Sequence, residues 1–539
     1  MKRTLLWGAA LVGAAFAVAA PAANFVPYGS YQRSCTNISV SGDSLSASCT
    51  TLSGSQLKTT LVELGQCMNS ITHYGDIANL DGSLVCMPDL PKVVTGFEFP
   101  RAESEINGWV YGQDDTAMYR HGWGIWAGLT HYVGTVGGAE LRAFETWDTP
   151  SNMLYAIGQA SSGKAKMLGS EVRKAQGLRL QLPHQFRNTA NAKGDLKLLL
   201  KEWQSAKAAT SADTNIFVSV AYNPPASSHA VSNKLFYAST LKNYIKEGYK
   251  EIPNFPANAI TIKPVYKVIT QSKVVDGIYT FPGWPGTPDP ARAFPESDWA
   301  NCVYVAVKGT GKGGNSIDPT CANPNASNTF YLNNFIHQTI SKDDAAYLNS
   351  QFGLTAKAGD IAILVGMHVT TREIKRWAWQ TFWWSADANS PKLPSSDAIA
   401  KLRPKELDEA AGHYVMSLAY QMVSPAQPIN GGVSEGESVI AYNPHLEAGF
   451  DPGVFQILKA VTKSPSAVQM NQYGVQTNCM TCHNLALYSP STDYQANNGA
   501  NRERPYGTDY YMSLDDTTFD GVLRLDFAWS ILGSLDTDK

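Results

Sequence analysis

Two cysteines and a histidine crowd together near the C-terminal end of this chain, in the stretch Asn478-Cys479-Met480-Thr481-Cys482-His483. Two thiols separated by two residues reach the two vinyl groups of a single porphyrin, and the imidazole that follows then lies beneath the iron. The stretch therefore reads as the attachment site of one covalent haem c, with thioethers at Cys479 and Cys482 and His483 as the proximal iron ligand. A dithiol redox pair, half of a zinc cage and a chance spacing are the competing readings. A zinc cage needs a second Cys-x-x-Cys, which this sequence lacks. A thioredoxin-like dithiol belongs at a strand-to-helix turn near the start of a βαβ unit, not late in a long chain.

At 539 residues the chain is far longer than a minimal electron carrier and has room for two or three domains. A net charge of −3 with 17% charged residues leaves no basic footprint, which sets aside nucleic acid and anionic membrane as partners. Thirteen Trp and 25 Tyr point first to an aromatic core and second to flat contact surfaces. Met1-Lys2-Arg3, an apolar run and Ala20-Pro21-Ala22 have the form of a signal peptide over residues 1–22. No later stretch is long and apolar enough to span a bilayer, so no transmembrane anchor is expected after cleavage. Of eight cysteines, two belong to the haem motif. The other six fall into three sequence-local pairs, Cys35–Cys49, Cys67–Cys86 and Cys302–Cys321, expected as disulfides in an oxidising compartment. Signal and cofactor agree on a periplasmic or secreted protein of a Gram-negative bacterium.

Residues 24–87 are Ser/Thr-rich and strand-like, and two disulfides suit a module too small to bury much core. Tyr28 to Cys49, then Leu61-Val62-Glu63-Leu64-Gly65-Gln66-Cys67 and Ile77 to Leu84, resemble one repeat of the cyanovirin-N homology fold, over residues 28–86. The resemblance implies glycan binding. That family usually has two repeats which complete each other's sheets, whereas one is found here, so the missing half comes from a second copy, giving a dimer, from the following domain, or not at all. A Pro-containing linker, 88–100, leads into a large domain, 101–539, with the haem segment at 476–539. β-branched and aromatic runs predict strands at Glu140–Trp147, Asn215–Ala221, Ile260–Ile269, Cys302–Lys308 and Ile361–Thr370. Helical patterns fall at Asp195–Ala206, Ala238–Glu247, Ser341–Phe352 and Pro404–Met422. The expected fold class is α+β, a stapled β module followed by a mixed, sheet-based domain.

The motifs of this domain come in a telling order: G-W-G-I-W-A-G-L-T at Trp126, L-R-A-F-E-T-W at Trp147, I-T-I-K-P-V-Y at Lys263, A-I-L-V-G-M-H-V-T-T at His368, W-A-W-Q-T-F-W-W ending at Trp384, Y-N-P-H-L-E at Glu447, the haem motif, and L-D-F-A-W-S-I-L. Over residues 108–532 this resembles a family of large exported cytochrome-c-like proteins with one haem motif near the C-terminus. Within it, only the haem motif carries chemistry that can be named. Relatives often have T-F-E-H after the W-x-W; this chain has T-F-W-W, which removes a second histidine.

The far face of the iron decides function, since a strong sixth ligand favours electron transfer and an open one admits peroxide or gas chemistry. His368, on an otherwise apolar strand, and Met512, downstream of the motif, are the candidate distal ligands; both also read as ordinary core residues. Met367 should point away from His368, because side chains alternate along a strand. His121, His413 and His445 are weaker candidates. Glu447 reads as a proton carrier or a loop anchor. Trp377, Trp379, Trp383 and Trp384 are expected on a hairpin return beside the haem, where Trp379 is a candidate electron relay and aromatic packing is the plainer role. Arg372 and Arg376 are candidates for the haem propionates, or else solvated strand-edge charges. Together these predict a redox haem protein, acting by one-electron transfer or peroxide-dependent oxidation, with a redox partner protein and a glycan as possible partners. A glycan-binding or gas-sensing haem protein is the alternative.

Overall fold

The computed structural model describes residues 34–51, 55–62, 76–80, 82–87, 90–136, 139–150, 216–352, 354–433, 435–450, 473–490 and 511–536, with Val26, Tyr31, Leu64, Met153 and Leu154 besides. The expected signal peptide, Cys67 and the helix expected at Asp195–Ala206 lie outside them. The architecture is mixed and mostly sheet-based.

The N-terminal region is a three-stranded antiparallel sheet, Cys35–Ser41, Ser44–Thr50 and Gln56–Leu61, with a separate hairpin Asp76–Leu80/Ser83–Met87. Its second strand alternates, Leu45, Ala47 and Cys49 facing inward between partly exposed serines, and so defines a one-sided core with Tyr31, Ile77 and Leu84. Cys35 and Cys49 stand opposite each other in register and are disulfide-bonded, as expected. Cys86 is also disulfide-bonded, and Cys302–Cys321 forms as expected.

The large domain is organised on an antiparallel sheet whose main order is Tyr414–Ala419, Ala378–Trp384, Ile361–Thr371, Ile260–Ile269, Ile216–Val218. His337–Thr339 and Ala221–Tyr222 add short pairings to the third and fourth of these strands. The central strands are buried on both faces, which explains their nearly unbroken apolar runs. Pro264 sits in a central strand although it has no N–H to donate. The neighbouring strand breaks opposite it, between Val218 and Ala221, and the Pro264 carbonyl accepts from the Ser219 N–H instead.

Cross-strand register puts Lys263, His368, Thr381 and Ser417 in one row on one face. Met367, Phe382 and Met416 face the other side, so Met367 does point away from His368. That second face packs on the helix Asp115–Thr130, where Trp126 stacks on Phe382 with ring centroids 4.3 Å apart. The approach is close enough that a Cβ at Gly122 would lie 2.6 Å from the Met416 sulfur.

Three expected elements differ. The strand expected at Glu140–Trp147 stops at Arg142, where the Glu145 carboxylate accepts the Arg142 N–H at 2.8 Å and turns the chain into the 3-10 segment Ala143–Thr146. The run Asn215–Ala221 is split at the Pro264 break described above. The helix expected at Pro404–Met422 is only Glu409–Gly412, capped by Asp408; Tyr414–Ala419 instead pairs with the tryptophan-rich strand. Its Tyr-Val-Met-Ser-Leu-Ala sequence suits a pleated, buried edge better than a helix.

Candidate functional site

The Cys-x-x-Cys-His stretch forms one helical turn, Cys479–His483, against the Lys263–His368 face of the sheet. Asn478 caps it: its side-chain oxygen accepts from the Thr481 N–H at 3.0 Å, and its Nδ2 donates to the carbonyls of Gln421 and Val439 at 3.1 and 2.6 Å. The turn is thereby fastened to two loops at its first residue. Helical spacing brings Cys479, Cys482 and His483 to one side of the turn, with Met480 rotated toward the apolar core. Both thiols are free and half-buried. Burial, reinforced by Glu447, pushes the Cys482 thiol up to about 12 and raises Cys479 well above the ordinary value. Neither is a ready thiolate.

His483 is prepared differently. Burial lowers it to about 3, so the imidazole is neutral, and its Nδ1 lies 2.9 Å from the Phe527 carbonyl. A neutral ring that donates Nδ1–H to a carbonyl keeps Nε2 as a free lone pair, the tautomer of a metal-binding histidine. That carbonyl is presented by a strained turn: Asp526 and Phe527 have φ of 46° and 65°. Asp526 is held there by the Arg372 Nε at 2.9 Å and by the Phe255 N–H at 2.9 Å. Trp379 covers the imidazole, ring centroids 4.2 Å apart, with its own Nε1 donating to the Arg376 carbonyl.

Across from the thiols, His368 Nε2 and Glu447 Oε1 are 2.9 Å apart, and Glu447 also accepts the Asn443 N–H at 2.7 Å. Asn443 in turn donates to Thr381 Oγ1 and the Phe382 carbonyl, both at 2.9 Å, clamping this loop onto the sheet. The clamp needs Gly366, where a Cβ would stand 2.7 Å from the Asn443 amide. Burial would raise the Glu447 carboxyl, but the neighbouring His368 and Lys263 outweigh it and hold it below the ordinary carboxylate value. Lys263 is lowered by its own burial, opposed by Glu447, Cys482 and Cys479. The His368 Nδ1 and both polar atoms of the Asn484 amide, next to His483, are buried with no partner among the described residues.

The structure thus gathers Cys479, Cys482, His483, His368, Glu447 and Trp379, all named from the sequence. It adds Lys263 as a charged group, and the Asp526-Phe527 turn, whose working atom is a backbone oxygen without a side-chain signature. Met512 is buried in the apolar cluster that holds Met480, Trp379 and Phe527. The other candidates lie elsewhere. Trp383 packs with Trp284 and Tyr442, Trp384 stacks on Phe335, and Trp377 marks the hairpin turn with φ of 59°. His445 bonds to Glu296, His413 stacks by Trp384, and His121 serves the opposite face. Arg372 and Arg376 are buried rather than solvated.

Two free thiols and a neutral, anchored imidazole on one helical face are the donor set that a covalently attached haem requires. The raised thiols fit poorly with a reactive dithiol, whose work depends on a lowered pKa. No helix among the described residues is long and apolar enough to cross a membrane. Compared with protein-family models, with curated proteins and with solved structures, the chain matches none.

Proposed function

We propose that this chain is an exported c-type haem protein of redox function, with haem bonded to Cys479 and Cys482 and ligated by His483. The observation that carries the reading is the state of His483: neutral, Nδ1 engaged by the Phe527 carbonyl, Nε2 uncommitted, one turn from two free thiols. A bound haem supplies a one-electron couple and, if its sixth position is open, a site for peroxide.

The chain's own residues add proton handling. Glu447 fixes the His368 ring through Nε2, which leaves Nδ1 as the atom that can take up and release a proton. His368 is therefore assigned an acid–base role in preference to iron ligation, because its Nε2 is already engaged by Glu447. Lys263 beside it stabilises the Glu447 carboxylate. Trp379 excludes water from the His483 ring. The N-terminal module is proposed as a glycan-contacting attachment, and the periplasm or cell exterior as the location.

The test is the absorption spectrum of the purified, exported protein in alkaline pyridine with dithionite. The reading expects the bands of a haem joined by two thioethers; a protein without a covalently held haem band overturns it.

A further inference from the structure

Three buried arginines of the large domain invite comparison. Arg142 grips Asp408 at 2.7 Å and Arg372 grips Asp526 at 2.9 Å. Arg376, as buried as they are, has no carboxylate partner among the described residues: Nη2 donates to the Ile429 carbonyl at 2.9 Å, Nη1 faces the Met422 sulfur at 3.1 Å, the Tyr511 side chain hydrogen-bonds it, and the guanidinium lies 5.2 Å from the centre of the Tyr511 ring. A buried cation with neutral partners alone is costly, and a protein keeps one where an anion completes it. Arg376 opens into a cleft between the helix Glu103–Gly112 and the loop that carries Met422 and Ile429. Met480, one of the two residues between the thiols, forms part of its floor, and Tyr111 stands at its rim, 55% exposed.

We propose that this cleft is a carboxylate-binding site, with Arg376 as the recognition residue and the Tyr511 ring stacked against its guanidinium. A planar, forked donor matches a carboxylate better than a spherical anion. Burial pulls the guanidinium down only to about 10, so it carries its charge at neutral pH. The carboxylate comes either from a small soluble acid or, resting on the haem reading, from a propionate of the haem itself.

The experiment is calorimetric titration of the full-length protein with sodium acetate at constant ionic strength. Saturable binding is expected, weakened roughly tenfold or more in Arg376→Gln, the loss of one charge-assisted bond. Tyr111→Glu, at an exposed rim position that the fold tolerates, should weaken it as well by placing a like charge at the entrance. Binding by the haem-bearing protein assigns the site to a soluble acid. Binding only by the haem-free Cys479→Ala/Cys482→Ala protein assigns it to the propionate. No saturable binding to either form, or equal binding by wild type, Arg376→Gln and Tyr111→Glu, overturns the proposal.

Discussion

The two faces of the central sheet each carry a histidine–glutamate pair, fully buried on one face and partly exposed on the other, and the pairs are finished to different degrees. On the helix-covered face, His121 has both ring nitrogens engaged, Nδ1 with the Tyr420 hydroxyl at 2.6 Å and Nε2 with Glu373 at 3.1 Å. Glu373 also accepts the Arg101 N–H at 2.6 Å and the Thr371 hydroxyl at 2.7 Å. On the other face His368 spends one nitrogen on Glu447 and leaves the other without a partner among the described residues, beside two free thiols. A closed network of this kind ties a helix to a sheet. The open one keeps a proton site available where chemistry is expected.

Stability should separate the pairs most strongly. Glu373→Ala strips three donors of a fully buried acceptor and is expected to cost about 3–5 kcal/mol in urea unfolding, against about 1–2 kcal/mol for Glu447→Ala, where the carboxylate and its His368 partner are both partly exposed. Equal losses would make the His368 pair as structural as the other. Next in size, His368→Gln should slow a proton-coupled haem reaction by about 100-fold with little change in the unfolding midpoint, whereas a purely structural histidine would show the reverse. The smallest effect is on pH dependence. Glu447 is depressed in the folded protein, so its contribution is present above the unfolded carboxylate value and lost as pH falls through the folded one. Glu447→Gln should therefore flatten the acid limb of stability below about pH 4.5, the ordinary glutamate range; an unchanged limb contradicts a carboxyl held low by its neighbours.

Much of the site was legible because its side chains are chemically conspicuous. A histidine in Ile-Ala-Ile-Leu-Val-Gly-Met-His has to find a partner, and Glu447 was a candidate on its own account. That the two meet across 79 residues was not readable, since nothing local aligns a loop with a strand. The strand Ile260–Ile269 matched its expected bounds because β-branched residues dominate it in spite of Pro264. The helix Asp115–Thr130 left a weaker signature. Gly122, Gly124 and Gly128 dilute its helical character, and each is demanded by something pressing on it from outside, Met416, Phe97 and Leu90 respectively. Tyr414–Ala419 read as helix because its edge partner, the tryptophan-rich strand, decides the outcome through tertiary pairing. The Phe527 carbonyl was invisible for a simpler reason: every residue has one.

The central claim is that Cys479 and Cys482 carry a haem. Intact-mass measurement of the exported protein, unfolded in acid to release anything bound without a covalent link, tests it most directly. The expected result is the mass of the polypeptide plus one haem for the wild type and the bare polypeptide for Cys479→Ala/Cys482→Ala. A bare polypeptide mass for the wild type, isolated from a host with an active haem c attachment system, would contradict it.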